Sequence, residues 1–391
     1  PGSALTGSQR FNTDLGVMEY YDGSNWKKIS PQIPILNNIT GNIHSGATST
    51  LTLAGVNFLS SGLVVNFSQS GDNINANVTV TPSSDTAATV AVPAAVYNSV
   101  TVGNAVQIKV TNSDSATSAD VSKTALAIPT GGTVSVVNGY RVHAFTTGAN
   151  FVIPSGVTIS ADYLVVAGGG GGGGWGGGGG AGGTQLITSQ SMTAGTYAAG
   201  VGNGGSRGTS GPYTRGGDGG TSSFNGTTST GGGGGGAYTS PDSSTINGRN
   251  GGSGGGGGIQ NVAGGQGGGT GTSGQGNNGG VGGDTYGASS FYEKGGGGGG
   301  KGAVGKSGDW DAVTDPEPSD LGDGGVGGDF SSQFGTALGE NGFFGGGGGG
   351  NTDGRRAWTD MRCRGGTGGG GDGGTYAAST ADFGAGARGD D

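Results

Sequence analysis

The sequence predicts a mainly β chain with almost no α-helix, ending in a glycine-rich bundle of polyglycine-II helices. Three observations lead there. Before residue 168, apolar and polar side chains alternate in short stretches punctuated by Gly, Pro, Asn and Asp, the pattern of half-buried strands. No helical period competes with it. From Gly168 onward most of the 103 glycines recur in runs separated by irregular insertions, the grammar of a repeat and not of a linker. With 391 residues the chain exceeds what one core serves, and it divides into segments 1–30, 31–128, 129–167 and 168–391.

Segment 1–30 predicts a β-hairpin or small meander. Arg10 to Thr13 leads through a turn at Asp14-Leu15-Gly16 into Val17 to Tyr21, and a second turn at Asp22 to Asn25 leads into Trp26 to Ile29. The stretch RFNTDLGVMEYYDGSNWKKIS resembles a short element of phage tail and fibre proteins that sits beside an attachment region. The opening Pro1-Gly2-Ser3, without an initiator Met, reads as a chain processed or truncated upstream.

Segment 31–128 predicts a β-sandwich with candidate strands at 49–53, 63–67, 77–81, 88–92 and 105–111. The phrases ILNNITG, STLTLAGVNF, ANVTVTP, ATVAVPAAV and QIKVTNSDSATS resemble an IPT/TIG-type immunoglobulin-like domain. That resemblance implies a spacer or stalk module and carries over no site. Segment 129–167 adds strands at 133–137, 140–145, 150–153 and 161–166, the last running straight into glycine. Its sequence, GYRVHAFTTGANFVIPSGVTISADYLVVAGGGGGG, resembles the lead-in to the glycine-rich domain of many phage tail-fibre and related surface proteins, and its expected job is to seed a regular backbone lattice.

The glycine runs fall at 168–174, 176–180, 231–236, 254–258, 295–300, 345–350 and 368–371. Related units precede several of them at 216–221, 279–284 and 324–329, each running on to an aromatic, Phe224, Phe291 or Phe330. Ordering a residue costs about 1–2 kcal/mol, with glycine at the costly end, so something cooperative must offset it. The extended helix with three residues per turn points its N–H and C=O groups outward. Glycine on every face lets such helices bond to one another at the spacing of the collagen axis, and six residues span roughly 19 Å. A glycine-rich β arrangement is the competing possibility, although glycine weakens strand interiors. The repeat grammar resembles the tip adhesin of T-even-type phage long tail fibres, which implies stacked polyglycine-II helices that read the host with their connecting loops.

The net charge of -9 and the lack of a basic stripe argue against nucleic-acid binding. A single cysteine, Cys363, excludes an internal disulfide framework and a multi-cysteine zinc site. The longest aliphatic stretch, near Tyr163 to Ala167, is far too short to insert in a membrane as a helix. The eight residues Gly300 to Ser307 match the Walker A pattern, but no hydrophobic strand precedes them, so nucleotide binding is not expected. His44 and His143 lack nucleophile or ligand company and read as structural. Carboxylates at Asp309, Asp311, Asp315, Glu317 and Asp320 have the composition of a calcium loop or a glycosidase pair, yet Pro316 and Pro318 favour a stiff solvated loop. Arg388-Gly389-Asp390 spells an integrin-type tripeptide that chance explains. No cofactor, metal or enzymatic chemistry is expected.

Recognition falls to the segments between runs, 207–215, 237–250, 301–321 and 351–364, because loops on rigid frames carry binding. Tyr213, Tyr238, Trp310 and Trp358 offer rigid amphipathic surfaces, and Arg215, Asp309, Asp311, Arg355 and Arg356 offer directional polar contacts. Packing of the aromatics over bundle edges is the alternative for each. The expectation is a phage virion fibre or adhesin subunit, homo-oligomeric or mounted on other fibre proteins at the virion surface. Its partner would be a host-surface glycan or outer-membrane protein. The rivals are a bacterial filament subunit or surface adhesin, an ice-binding protein and a polysaccharide depolymerase.

Overall fold

A computed structural model describes residues 5–14, 17–29, 33–60, 62–71, 73–238, 245–260, 266–283, 294–308, 320–352 and 362–374. The chain divides into two compact units, Pro1–Pro129 with Ile153–Val157, and Thr130–Val152 with Thr158–Asp391. It is mainly β, with two short helices, α1 (Ala94–Tyr97) and α2 (Ser331–Phe334), among the described residues.

In the first unit, β1 (Gln9–Asn12), β2 (Val17–Tyr21) and β3 (Trp26–Lys28) form an antiparallel meander. One side of it is tied by Arg10, which bonds Glu19 at 2.8 Å and lies 4.2 Å over the Trp26 ring. A sandwich follows. One sheet orders β4 (Ile35–Thr40), β6 (Thr50–Val56) and β9 (Ala87–Ala91) as β4-β6-β9. The other orders β5 (Ile43–His44), β11 (Val121–Leu126), β10 (Ala105–Asn112), β7 (Leu63–Gln69) and β8 (Ile74–Val80) as β5-β11-β10-β7-β8. The first two strands split between the sheets, and β5 runs parallel to β11.

Alternation dictates this core. Leu51 and Leu53 of β6, Leu63, Val65 and Phe67 of β7, and Val106, Ile108 and Val110 of β10 are all fully buried. Each contributes about 1.5–3 kcal/mol on burial. The five expected strands match β6 to β10 with shifted ends. Strands β4, β5 and β11 were not among them. In β4 the inward side chains Leu36 and Ile39 break strict alternation because the register shifts between Leu36 and Asn38, a bulge.

The second unit opens on the hairpin β12 (Thr133–Val137) and β13 (Tyr140–Ala144) and a long two-stranded ribbon, β14 (Ala149–Val166) with β15 (Thr184–Ala199). Sequence predicts two strands where β14 is one. The strand runs on through Pro154 and Gly156 because a two-stranded ribbon has a free edge that tolerates proline, and Gly156 takes a positive φ of 79° without ending it.

Beyond Ala167 the backbone forms straight rods that bond to one another. Ala167, Gly170 and Gly173 donate to the carbonyls of Gly183, Gly180 and Gly177, and Gly168, Gly171 and Gly174 donate to Gly220, Gly217 and Thr214. A strand returns to the same neighbour at every second residue, whereas these rods return at every third. None of the glycines 295–300 has positive φ. The rods are therefore polyglycine-II helices, with the hand of polyproline II.

Rod 294–301 is enclosed on all sides. Every amide from Gly295 to Lys301 donates: to 351, 348 and 345, to 257 and 254, and to 306 and 303 in turn around the axis. Its carbonyls accept from Gly178 and Ala181, from Gly283, Gly280 and Asn277, and from Gly325. Rod 252–260 is likewise enclosed, bonding to the rods at 176–183, 230–238, 246–251, 266–271, 276–283 and 294–301. Glycine is required here for closeness, not for backbone freedom. A Cβ at Gly298 would overlap the Gly179 carbonyl, and one at Gly256 would overlap the carbonyl of Gly296.

Glycine density tracks depth in this lattice. Enclosed rods are glycine at nearly every position. Rods 216–220, 279–283 and 324–328 follow Gly-Gly-x; Val281 and Val326 face solvent, while Asp218 accepts the Gly234 amide at 3.0 Å and pairs with Arg249 at 2.8 Å. The outer rods 202–208 and 302–308 hold glycine at every third residue, Gly202, Gly205 and Gly208, and Gly302, Gly305 and Gly308, with Gly204 the one further glycine in them. This corrects the expectation that 301–321 is one loop, since 302–308 is a rod bonded to Asn278, Val281, Asp323 and Val326. Residues 246–251, which overlap the end of the expected loop 237–250, are a rod as well.

Candidate recognition pole

The directions of the rods fix where each connection lies. Rods 168–174, 202–209, 230–238, 252–260 and 276–283 run parallel, and rods 176–183, 214–221 and 294–301 run against them. Following these pairings through the bundle brings Trp175, the turn 210–213, and the residue pairs flanking 239–244, 261–265, 284–293, 309–319 and 353–361 to one pole. Gly374 reaches it too, through the donation of Thr352 to its carbonyl. The opposite pole holds short turns at 272–275, 301–303 and 367–369 together with the β-rich pieces. These include β16 (Ser222–Phe224), β17 (Thr227–Ser229), β18 (Gly328–Asp329) and β19 (Phe343–Phe344). The described ends of five segments thus meet at the pole that carries Trp175 and the turn 210–213.

Two expected site residues meet at that pole. Tyr213 and Tyr238 lie with ring centroids 5.3 Å apart, edge to face. Trp175 completes the group, stacked on Tyr213 at 6.2 Å with planes 14° apart and edge-on to Tyr238 at 4.7 Å. All three are half-buried. Sequence reasoning missed Trp175, though it carried a signal: a lone Trp between runs 168–174 and 176–180 has no packing role inside a bare backbone lattice. It forms the hairpin between two rods in the left-handed region, φ 56°. Arg215 is half-buried on the rod that follows Tyr213. Asp309, Trp310, Asp311, Arg355, Arg356 and Trp358 lie outside the described residues, as does most of the expected carboxylate cluster.

Turn 209–214 is held by its own polar groups. Thr209 donates its hydroxyl to the Pro212 carbonyl, and its amide donates to Thr214 Oγ1 at 2.8 Å. Deeper at the same pole, Lys306 Nζ meets Asp320 at 3.0 Å and holds its carboxyl below the usual range. Asp323 accepts the Arg364 amide at 2.6 Å, while burial raises its own carboxyl. Cys363 is buried, and burial pushes its thiol up to about 12, so it stays protonated and unreactive at neutral pH.

The Walker-like stretch binds backbone in place of phosphate. Lys301 donates its amide to Gly345, Gly302 and Ala303 donate to Val326, and Lys306 donates to Asp323. Lys301 Nζ donates to the Gly274 carbonyl at 2.7 Å. His143 Nδ1 contacts the Gly131 carbonyl at 2.7 Å, and its ring packs edge-on against Phe151. Among the described residues no group of His, Cys, Asp and Glu could hold a metal ion, and no helix is long and apolar enough to cross a membrane. Comparison with family models, with curated proteins and with solved structures returns no match.

Proposed function

We propose that the chain is a bacteriophage virion fibre or adhesin subunit, exposed at the virion surface, that binds the host envelope through the connections at the Trp175 pole. The observation that supports this reading is the run of the rods, which brings the ends flanking 284–293, 309–319 and 353–361 to the pole of Trp175, Tyr213 and Tyr238. A lattice held by backbone bonds is indifferent to what its connections contain, so one end can vary in sequence and length while the frame stays fixed. Segments 284–293, 309–319 and 353–361 are rich in aromatic and charged side chains, the composition of binding loops. The sandwich serves as a spacer in this reading, and the meander 5–29 serves attachment to other fibre proteins. The chain carries out no catalysis.

The test replaces 309–319 with a short Gly-Ser linker in the full chain and measures binding to intact bacterial cells. The expected outcome is at least a tenfold loss of cell binding with an unchanged melting temperature. Undiminished binding after this replacement and after the matching replacement of 353–361 would refute the assignment. Head-to-tail polymers of the purified chain in electron micrographs would favour a filament subunit instead.

A further inference from the structure

From the aromatic group at the recognition pole, we infer that Trp175, Tyr213 and Tyr238 form a carbohydrate-stacking platform, and that the ligand is a surface oligosaccharide. The inference rests on the adhesin reading above and narrows it from two receptor classes to one. It is carried by the arrangement of the rings. Trp175 and Tyr213 are near-parallel, at 14°, with centroids 6.2 Å apart. Parallel rings in contact at that separation are displaced sideways by roughly 5 Å, so together they make a stepped apolar floor about one sugar ring longer than a single side chain. Tyr238 stands across both rings at 72° to Tyr213 and 62° to Trp175, closing one end of the step.

A pyranose presents apolar C–H faces and polar equatorial edges, and this site offers a partner to each. The rings take the faces. Next to Tyr213 in the chain stand groups that can hydrogen-bond edges, the exposed Thr214 and the half-buried Arg215. A protein receptor would call for a protruding anchor or a deep apolar pocket. Here the rings are half-buried and brace one another, a shallow surface.

The platform is also fixed before any ligand arrives. Its rings spring from Trp175 between two antiparallel rods, from the hydroxyl-braced turn 209–214, and from the end of rod 230–238, where the Tyr238 amide donates to Gly174 at 3.0 Å. Side chains ordered in advance lose little freedom on binding, which suits a weak, repeated contact with a glycan. If the rings only plugged the end of the bundle, volume alone would matter. If they stack on sugar, the aromatic face matters and bulk does not.

The experiment measures binding of the full chain to an array of hexose, heptose, N-acetylhexosamine and uronic-acid oligosaccharides, and to host cells before and after periodate oxidation. Tyr213→Leu and Tyr238→Leu keep apolar bulk and remove the π face. Array binding, a loss of cell binding after periodate, and a tenfold or greater loss in either leucine variant at unchanged melting temperature are expected. A chain that binds periodate-treated cells normally and no carbohydrate overturns the glycan assignment and leaves the adhesin reading standing. A chain that binds neither cells nor carbohydrate overturns both. Leucine variants that bind as the parent does reduce the rings to a structural plug.

Discussion

A missing methyl group decides the second unit. At Gly298 an added Cβ would press on the carbonyl of Gly179, and the neighbouring rods, enclosed in turn, have no side chain that could rotate away. At Gly267 the nearest atom to such a Cβ is Asn247 Oδ1 at 3.6 Å, an ordinary contact. Gly298→Ala should therefore destabilise the bundle by about 1–3 kcal/mol or more, as overpacking does. Gly267→Ala should stay within about 0.5 kcal/mol of the parent. Chemical denaturation of the two variants compares them directly; equal effects would mean that the rods are looser than their hydrogen bonds imply. Asn351 brings a polar side chain into the lattice in place of a backbone partner. Asn351, buried at 2% exposure, accepts the Gly374 amide at 2.8 Å and donates toward the Gly173 carbonyl at 3.4 Å.

At the scale of an element, the period of three is itself testable. In rod 276–283 Val281 faces solvent at 40% exposure, between glycines that face other rods. Inserting one glycine between Gly279 and Gly280 moves Val281 to the position now held by Gly282, where a Cβ would overlap the Gly258 carbonyl. Two inserted glycines move it to the position of Gly283, where a Cβ would crowd the Gly308 carbonyl at 2.8 Å. Three turn it outward again. Stability should fall by about 1–3 kcal/mol with one or two insertions and mostly return with three. A β-strand would recover at the second insertion, so a denaturation series separates the two geometries. The same arithmetic explains what sequence reveals. Strands β7 and β10 were legible because alternate side chains are buried. Strand β15 was not, because Thr184 to Ala199 is mostly exposed and shows no hydrophobic period. The enclosed rods announced themselves as glycine runs. The outer rods 202–208 and 302–308 escaped notice because Gly-x-x-Gly, with Arg207, Lys306 and Ser307 between, has the composition of a loop.

Across the glycine-rich unit, stability is distributed by depth, and depth does not follow sequence order. Two of the enclosed rods, 252–258 and 294–301, are more than thirty residues apart in the chain yet adjacent in space, since Gly296 donates to Gly257 and Gly299 to Gly254. Each amide contributes about 0.5–1.5 kcal/mol net, close to the cost of about 1–2 kcal/mol for fixing its residue. A rod bonded on one side therefore opens easily, and a rod bonded all round opens only with the whole lattice. The site expected from sequence was half legible for the same reason: aromatic insertions mark themselves, but their gathering at one pole depends on rod direction, which glycine runs do not encode. Hydrogen exchange followed by mass spectrometry should find the slowest amides at 252–258 and 295–301. Exchange should be faster along 202–209, where donation to the backbone of a neighbouring rod recurs only at Gly205 and Gly208. Protection falling off steadily along the chain from the β14–β15 ribbon would instead mean that the sheet holds the rods in place. Protection ranked by enclosure would mean that the backbone lattice is the core of this unit, and that its pole can be rebuilt without disturbing it.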